Sequence, residues 1–465
     1  MKQTDKHLFL TRAVSDQLGA PKAKVTLVSQ RSSTGDIVVK PFIRFVLIAL
    51  FGAVASAQGV DFGDYFEDAT MRIDYFHTAN AICDEIAVDQ IYINEVWAGN
   101  PRKLQPPMEN GRYVTKVVDI ASNKLIYSRH YLDIVFEYKG TDAAKEGRKQ
   151  TYHQSALIPC PKRPVRLTIE RRDNYHALHS VFSQIIDPND RSIKREPASP
   201  MDKSFVILKS GSHHDCVDLV FVAEGYQSEE FDKFKKDSQR FVDYLFTVQP
   251  FTTMKQGFNV YGVIRASAQS GVDIPAERVY KNTVVSASYD TFGSGAYVTV
   301  FDNKSMRDIA GKVPYDHLIV LANTAKYGGS GFYNNYTLFT SDNQRSEEIF
   351  THEFGHGFAG LADEYIAEPY FGVYYTRGVE PLEPNITAFL NTNYVKWAHL
   401  LTPGAALPTP AEEQYSDTVG LFAGAGYTRT GMYRSCLHCV MGAGGLAYCK
   451  ACQDTIRNVI EHYRN

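Results

Sequence analysis

Between Ile186 and Ser204 the apolar pattern of this 465-residue chain changes its period, and that change constrains the fold more than any other feature. Upstream, apolar residues come in short runs broken by polar punctuation: "MRIDYF", "IAVDQIYINEVWAG", "GRYVTKVVDIA", "YLDIVFEY" and "PVRLTIER". In the last run Val165, Leu167 and Ile169 alternate with polar neighbours, the period-two signature of a strand with one buried face. A set of such strands predicts a β-sandwich over residues 58–190. The stretch "IDPNDRSIKREPASPMDKS" has no apolar period and reads as a linker, placed at 191–204. Beyond it "VDLVFVAEGY" is a continuous apolar strand. Ser228 then caps a helix whose Phe231, Phe234, Phe241, Val242, Leu245 and Phe246 fall on helical spacing. "FNVYGVIRAS", "SMRDIAG", "DHLIVLANT" and the glycine-rich turn and strand of "YGGSGFYNNYTLFT" continue the alternation into a last helix at Ser346. The chain is too long for one core, and 205–465 is expected to be an α/β domain built on a mixed sheet.

Apolar residues make up 44% of the chain and charged ones 22%, the balance of a soluble globular protein. A net charge of −3 provides no field to gather nucleic acid or anionic lipid, so neither is expected as a partner. Tyrosine and phenylalanine are abundant, as in β-rich domains and in surfaces that hold peptide or sugar. Lys40 and Arg44, the apolar run Phe45–Val54 and Ala55-Ser56-Ala57 have the anatomy of a signal peptide over about 38–57. The run is too short to span a bilayer, and no cysteine follows the cut. The mature protein is therefore expected in the periplasm or outside the cell, with no stable membrane insertion after cleavage near Ala57. Residues 1–37 form a polar extension ahead of the signal, and translation is expected to start near Val38 or Val39.

"THEFGHGFAGLADEY", Thr351–Tyr365, sets two histidines four apart with a glutamate after the first. On an α-helix residues four apart share a face, so His352 and His356 can present ring nitrogens to one cation while Glu353 projects beside it. With 14 histidines in the chain such a motif arises by chance about 0.02 times per sequence, so its surroundings must decide. Gly360 can end the helix in the left-handed conformation, and three residues on stands Asp363, followed by Glu364. Asp363 is the expected third ligand and Glu364 the runner-up. Downstream, "GMYRSCLHCVMGAGGLAYCKACQ" places Met441 before a glycine cluster and ahead of a closing helix, "ACQDTIRNVIEHY". Tyr433 and Arg434 precede that turn; Tyr433 is a candidate for stabilising a charged intermediate, while a structural salt bridge competes for Arg434.

His352, Glu353, His356, Gly360, Leu361, Asp363, Glu364 and Tyr365 together resemble the H-E-x-x-H-x-x-x-G-L-x-D-E-Y pattern of the IgA-peptidase family of zinc metallopeptidases. "YGGSGFYNNY" before the helix and the C-x-M…Y-C-x-x-C stretch after it extend the resemblance, and the N-terminal half is similar to that family's accessory domain. The resemblance implies a metzincin-like peptidase domain with an HExxH helix and a methionine turn behind the β-sandwich. It further implies a Zn²⁺ cofactor held by His352, His356 and Asp363, with Glu353 as general base and protein or peptide substrates, glycoproteins among them. Zinc would activate water and polarise the scissile carbonyl, and "FYNNYTLFT" is expected to offer a strand edge to an extended substrate. The competing class is a non-catalytic surface protein that binds glycan or protein around a structural metal; an intact Glu353 weighs against it.

Seven cysteines remain. In an exported chain Cys83 is expected to pair with Cys160, and Cys436, Cys439, Cys449 and Cys452 to form disulfides around the methionine turn in preference to a second zinc. His438 and the His213-His214-Asp215 cluster read as solvated.

Overall fold

Seven strands build the N-terminal layers: β1 (Phe66–Ala79), β2 (Asp84–Asn94), β3 (Tyr113–Asp119), β4 (Lys124–Tyr131), β5 (Gln150–Pro161), β6 (Val165–Arg172) and β7 (Leu178–Ile186). They form two antiparallel sheets, ordered β2-β1-β5 and β4-β3-β6-β7. Ile73, Tyr75, Tyr113, Val117, Ile158 and Leu167 from both sheets share one core, as the period-two reading expects of a sandwich. The computed structural model describes residues 59–464 apart from positions 95, 196, 197, 443 and 444. The expected signal segment, about 38–57, lies outside the described residues. No described helix is long and apolar enough to cross a membrane.

One N-terminal element departs from the sequence reading. "YLDIVFEY" is not a strand: α1 (Ile134–Lys139) forms there, because the Asp133 side chain accepts hydrogen bonds from the N–H groups of Val135 and Phe136. The period-two apolar pattern of Leu132, Ile134, Phe136 and Tyr138 is overridden by this cap.

The second half is built on six strands. β8 (Lys203–Leu208), β9 (Val217–Glu224), α2 (Phe231–Leu245), β10 (Phe258–Ile264), α3 (Asn303–Ala310), β11 (His317–Ala322), β12 (Gly329–Phe332), β13 (Tyr336–Thr340) and α4 (Ser346–Ala359) follow in chain order. The strands lie in the order β12-β13-β11-β9-β10-β8. The four inner strands are parallel and both edge strands antiparallel, which makes the sheet mixed. Every residue of β9 is buried because both faces are covered. Leu219 and Phe221 pack under α2 and α4, while Val220 and Val222 face α3 and Ile134 of α1. That contribution of α1 to the second core joins sandwich and sheet within the one compact unit that runs from Gly59 to Asn465. Ser228 does not cap α2, whose N-cap is Glu230; it opens the short 3₁₀ turn just before α2, and that turn is capped by Gln227, whose N–H donates to Glu230 Oε2.

Three short strands, β14 (Ile386–Thr387), β15 (Phe422–Ala425) and β16 (Thr428–Arg434), form a small sheet beyond α4, and α5 (Lys450–Tyr463) closes the chain. α5 packs on α4 through the same core that α2 fills.

Candidate functional site

α4 ends where the sequence places its stop. Gly360 adopts φ +62°, its N–H bonds the His356 carbonyl, and the Leu361 N–H bonds that of Gly355. The chain reverses, and Asp363 comes back alongside the two histidines. His352 Nδ1 lies 2.8 Å from the Val440 carbonyl and His356 Nδ1 2.6 Å from the Leu361 carbonyl. A carbonyl can only accept, so both imidazoles carry a proton on Nδ1 and turn Nε2 inward. The two Nε2 atoms are 3.1 Å apart and stand 3.1 and 3.3 Å from Asp363 Oδ1. Ligands about 2.0 Å from a tetrahedral cation are separated by about 3.3 Å, so three donors already occupy three corners. Asp363 Oδ1 is buried without a well-formed hydrogen bond, which is the donor atom such a cation would use.

The charges agree with a cation-binding triangle. Burial works against charge on His352, but the adjoining Asp363 carboxylate overrides it and raises that imidazole to about 9; His356 is raised in the same way. Burial would raise Asp363 too, yet the two imidazoles hold it well below the usual carboxylate range. The site thus compensates its buried carboxylate with positive charge, from protons or from a metal. Burial raises Glu353, opposed by the histidines and reinforced by Asp363. No donor among the described residues bonds the Glu353 carboxylate. A second carboxylate, Glu137 on α1, is pushed up to about 7 by burial, with Tyr297 bonded to it and the charges of His356 and Glu353 within reach.

Close approach explains the glycines around α4. A Cβ on Gly329 would lie 2.7 Å from Glu353 Cγ, and one on Gly331 would lie 2.3 Å from the Glu353 carbonyl oxygen and 2.7 Å from His356 Cβ. β12 can press against the helix only as Gly-Ser-Gly. Behind the helix, a Cβ on Gly355 would meet Met441 Sδ at 2.7 Å, so the fully buried methionine lies directly against the turn between the two histidines. Gly331→Ala is expected to destabilise the protein by about 1–3 kcal/mol through overpacking, read as a lower denaturation midpoint. Gly372, whose Cβ position is open, is the control: Gly372→Ala should show no such loss.

The other expected residues are more dispersed. Glu364 turns away from the triangle: its N–H bonds the Met441 carbonyl and its Oε1 accepts from Asn385 Nδ2 at 2.9 Å, deep beside the cysteines. Tyr433 sits on β16, paired with Thr387 and Ala423, and makes no hydrogen bond to His352, Glu353, His356 or Asp363. Arg434, weighed between a role at the metal and a structural salt bridge, binds the carbonyls of Ala423 and Gly424. The phenols that reach the triangle are others. Tyr427 donates its hydroxyl to Asp363 Oδ2, and the Tyr365 ring stacks along His352 with centroids 6.4 Å apart. Tyr427 had no motif to betray it; it comes 64 residues after its partner. Tyr427→Phe is expected to weaken metal binding about 10- to 100-fold, measured by competition with a chelator, with little change in fold.

Two expectations are corrected. "FYNNYTLFT" does not offer an edge: its Tyr336–Thr340 is β13, flanked by β11 and β12, because the glycine-rich segment before it is itself the edge strand. Even that edge is partly covered, since Gly329 N–H bonds Ala296 O at 3.3 Å. The cysteines form no disulfide; all seven are free. Cys83 lies past the Ala79 end of β1 and Cys160 pairs across from Glu67 at the other end, about 40 Å away at the rise of a strand.

No curated protein matches the chain. Two family models do: the one described as IgA Peptidase M64 matches residues 205–415, and the one described as Peptidase M64 N-terminus matches residues 61–183. The first covers the mixed sheet, α4 and the Asp363 turn, and the second covers most of the sandwich. The chain, whose histidine–aspartate triangle of α4 and the turn after it falls within the first of these matches, belongs to the IgA peptidase M64 family of metallopeptidases.

Proposed function

We propose that the protein is an exported zinc-dependent endopeptidase, metzincin-like in its HExxH helix and in the methionine turn behind it. The observation that carries this reading is the triangle of His352 Nε2, His356 Nε2 and Asp363 Oδ1, with edges of 3.1 to 3.3 Å. Two imidazoles and one carboxylate suit Zn²⁺, which in such a site lowers the pKa of a bound water toward about 7 and polarises a carbonyl. Glu353, with no competing donor, takes the proton from the attacking water and returns it to the leaving amine. The carbonyls of Val440 and Leu361 hold the two imidazoles in register, and Tyr427 holds Asp363. Tyr365 is better placed than Tyr433 to lean on the reacting carbonyl, since its ring lies beside His352. Tyr327, 43% exposed and close enough to Glu353 and Asp363 to sense their charge, offers a ring to a bound chain. Export rests on the Lys40-to-Ala57 segment.

Purified protein should cleave a peptide library, lose that cleavage to a chelator and regain it on addition of zinc. Zinc-replete protein that cleaves nothing would return the balance to the non-catalytic binding protein.

A further inference from the structure

We propose that Cys439, Cys449, Cys452 and Glu364 form a second metal site, a structural one for a tetrahedral divalent cation such as Zn²⁺, behind the histidine triangle. All four side chains are buried, and one donor atom from each falls within 4.8 Å of the others. Cys439 Sγ and Cys452 Sγ are 3.7 Å apart, far beyond a disulfide bond of about 2.05 Å. Two thiolates each about 2.3 Å from a tetrahedral cation are separated by about 3.8 Å, which the pair already matches.

Glu364 supplies the independent sign. It is 2% exposed; Oε1 accepts from Asn385 and from the Cys452 thiol, and Oε2 is buried with no hydrogen-bond partner among the described residues. A carboxylate oxygen left unpaired beside three thiols is unfavourable in a buried setting, and either a proton on Glu364 or a cation shared with the thiols removes the penalty. Disulfide formation between Cys439 and Cys452 would leave that oxygen as it is.

Cys449 is the N-cap of α5 and Cys452 lies in its first turn, where the helix dipole stabilises negative charge. The Cys449 N–H donates to Cys439 Sγ at 3.4 Å, and Ser435 Oγ lies 3.1 Å from Cys449 Sγ. Cys436 adjoins the cluster through its contact with the Cys449 thiol but is not one of the four residues whose donor atoms all lie together. The consequence reaches the triangle through two backbone contacts. Val440, next to Cys439, orients His352, and Glu364, next to Asp363, is bonded by its N–H to the Met441 carbonyl at 2.7 Å. An ion bound by these four residues ties the methionine turn, the Asp363 turn and α5 together.

Metal counting on the full chain, purified without chelator, tests the site. The unaltered protein should carry two ions per chain, and Cys452→Ser and His356→Ala one each. Loaded with Co²⁺, His356→Ala should keep the thiolate-to-cobalt charge-transfer absorption that Cys452→Ser loses. Glu364→Gln, which keeps all thiols and serves if Cys452→Ser fails to fold, should release this ion to a chelator at least tenfold more readily. One ion in the unaltered protein and none in His356→Ala, or a Cys439–Cys452 disulfide in unreduced peptide maps, would overturn the proposal. One ion that survives His356→Ala and is lost with Cys452→Ser would uphold it while refuting the catalytic triangle.

Discussion

Glu353→Gln should lower peptide hydrolysis by about 10²- to 10⁴-fold, the range that a positioned general base contributes, while leaving metal content unchanged. The amide has the size of the carboxylate, and the space is tight: a Cβ on Gly329 would already meet Glu353 Oε1 at 2.9 Å. Glutamine fits that space and keeps the contact with β12, so fold and metal triangle are preserved. What is lost is the ability to hold a proton between its removal from water and its delivery to the amine. The measurement is single-turnover cleavage beside metal analysis of the same sample. Residual turnover above about a tenth of the original would reject Glu353 as the base and turn attention to Glu137. That carboxyl is raised to about 7 by burial, but Tyr297 already engages it, so Glu137→Gln should change turnover far less than Glu353→Gln.

The sequence carried the parts of this structure that depend on local spacing. β9 reads as an apolar run because both its faces are covered, and α4 reads as a site because helical geometry alone aligns His352 with His356. Gly360 and the three-residue step to Asp363 are equally local. Parts set by contacts across the chain were not legible. The Gly329–Phe332 segment looks like a turn from its glycines, and only the approach of α4 shows why an edge strand needs them. α1 presents a strand's period, and its helix depends on which way the Asp133 side chain points. Tyr427 and Glu137 reach the triangle from distant positions on separate elements. Adjacent in sequence, Asp363 and Glu364 were both candidates for the metal; their directions differ because the Met441 carbonyl fixes the backbone between them.

That difference in direction makes the second large effect specific. Asp363→Asn should reduce metal content by one ion per chain and abolish cleavage, whereas the protein should remain folded. The amide keeps the volume of the carboxylate and can still accept a bond from Tyr427, but it lacks the charge that a cation requires of the third donor. Asp363→Ala should lose the same ion and be less stable as well, by about 1–3 kcal/mol, because the buried Tyr427 hydroxyl is left without its partner. Glu364 cannot move in to compensate. Its N–H is fixed to Met441, which holds the backbone in place, and swinging its side chain to the histidines would break the Oε1 contacts with Asn385 and Cys452. Full metal content in Asp363→Asn, together with normal cleavage, would therefore remove Asp363 from the site and require a donor from outside the turn.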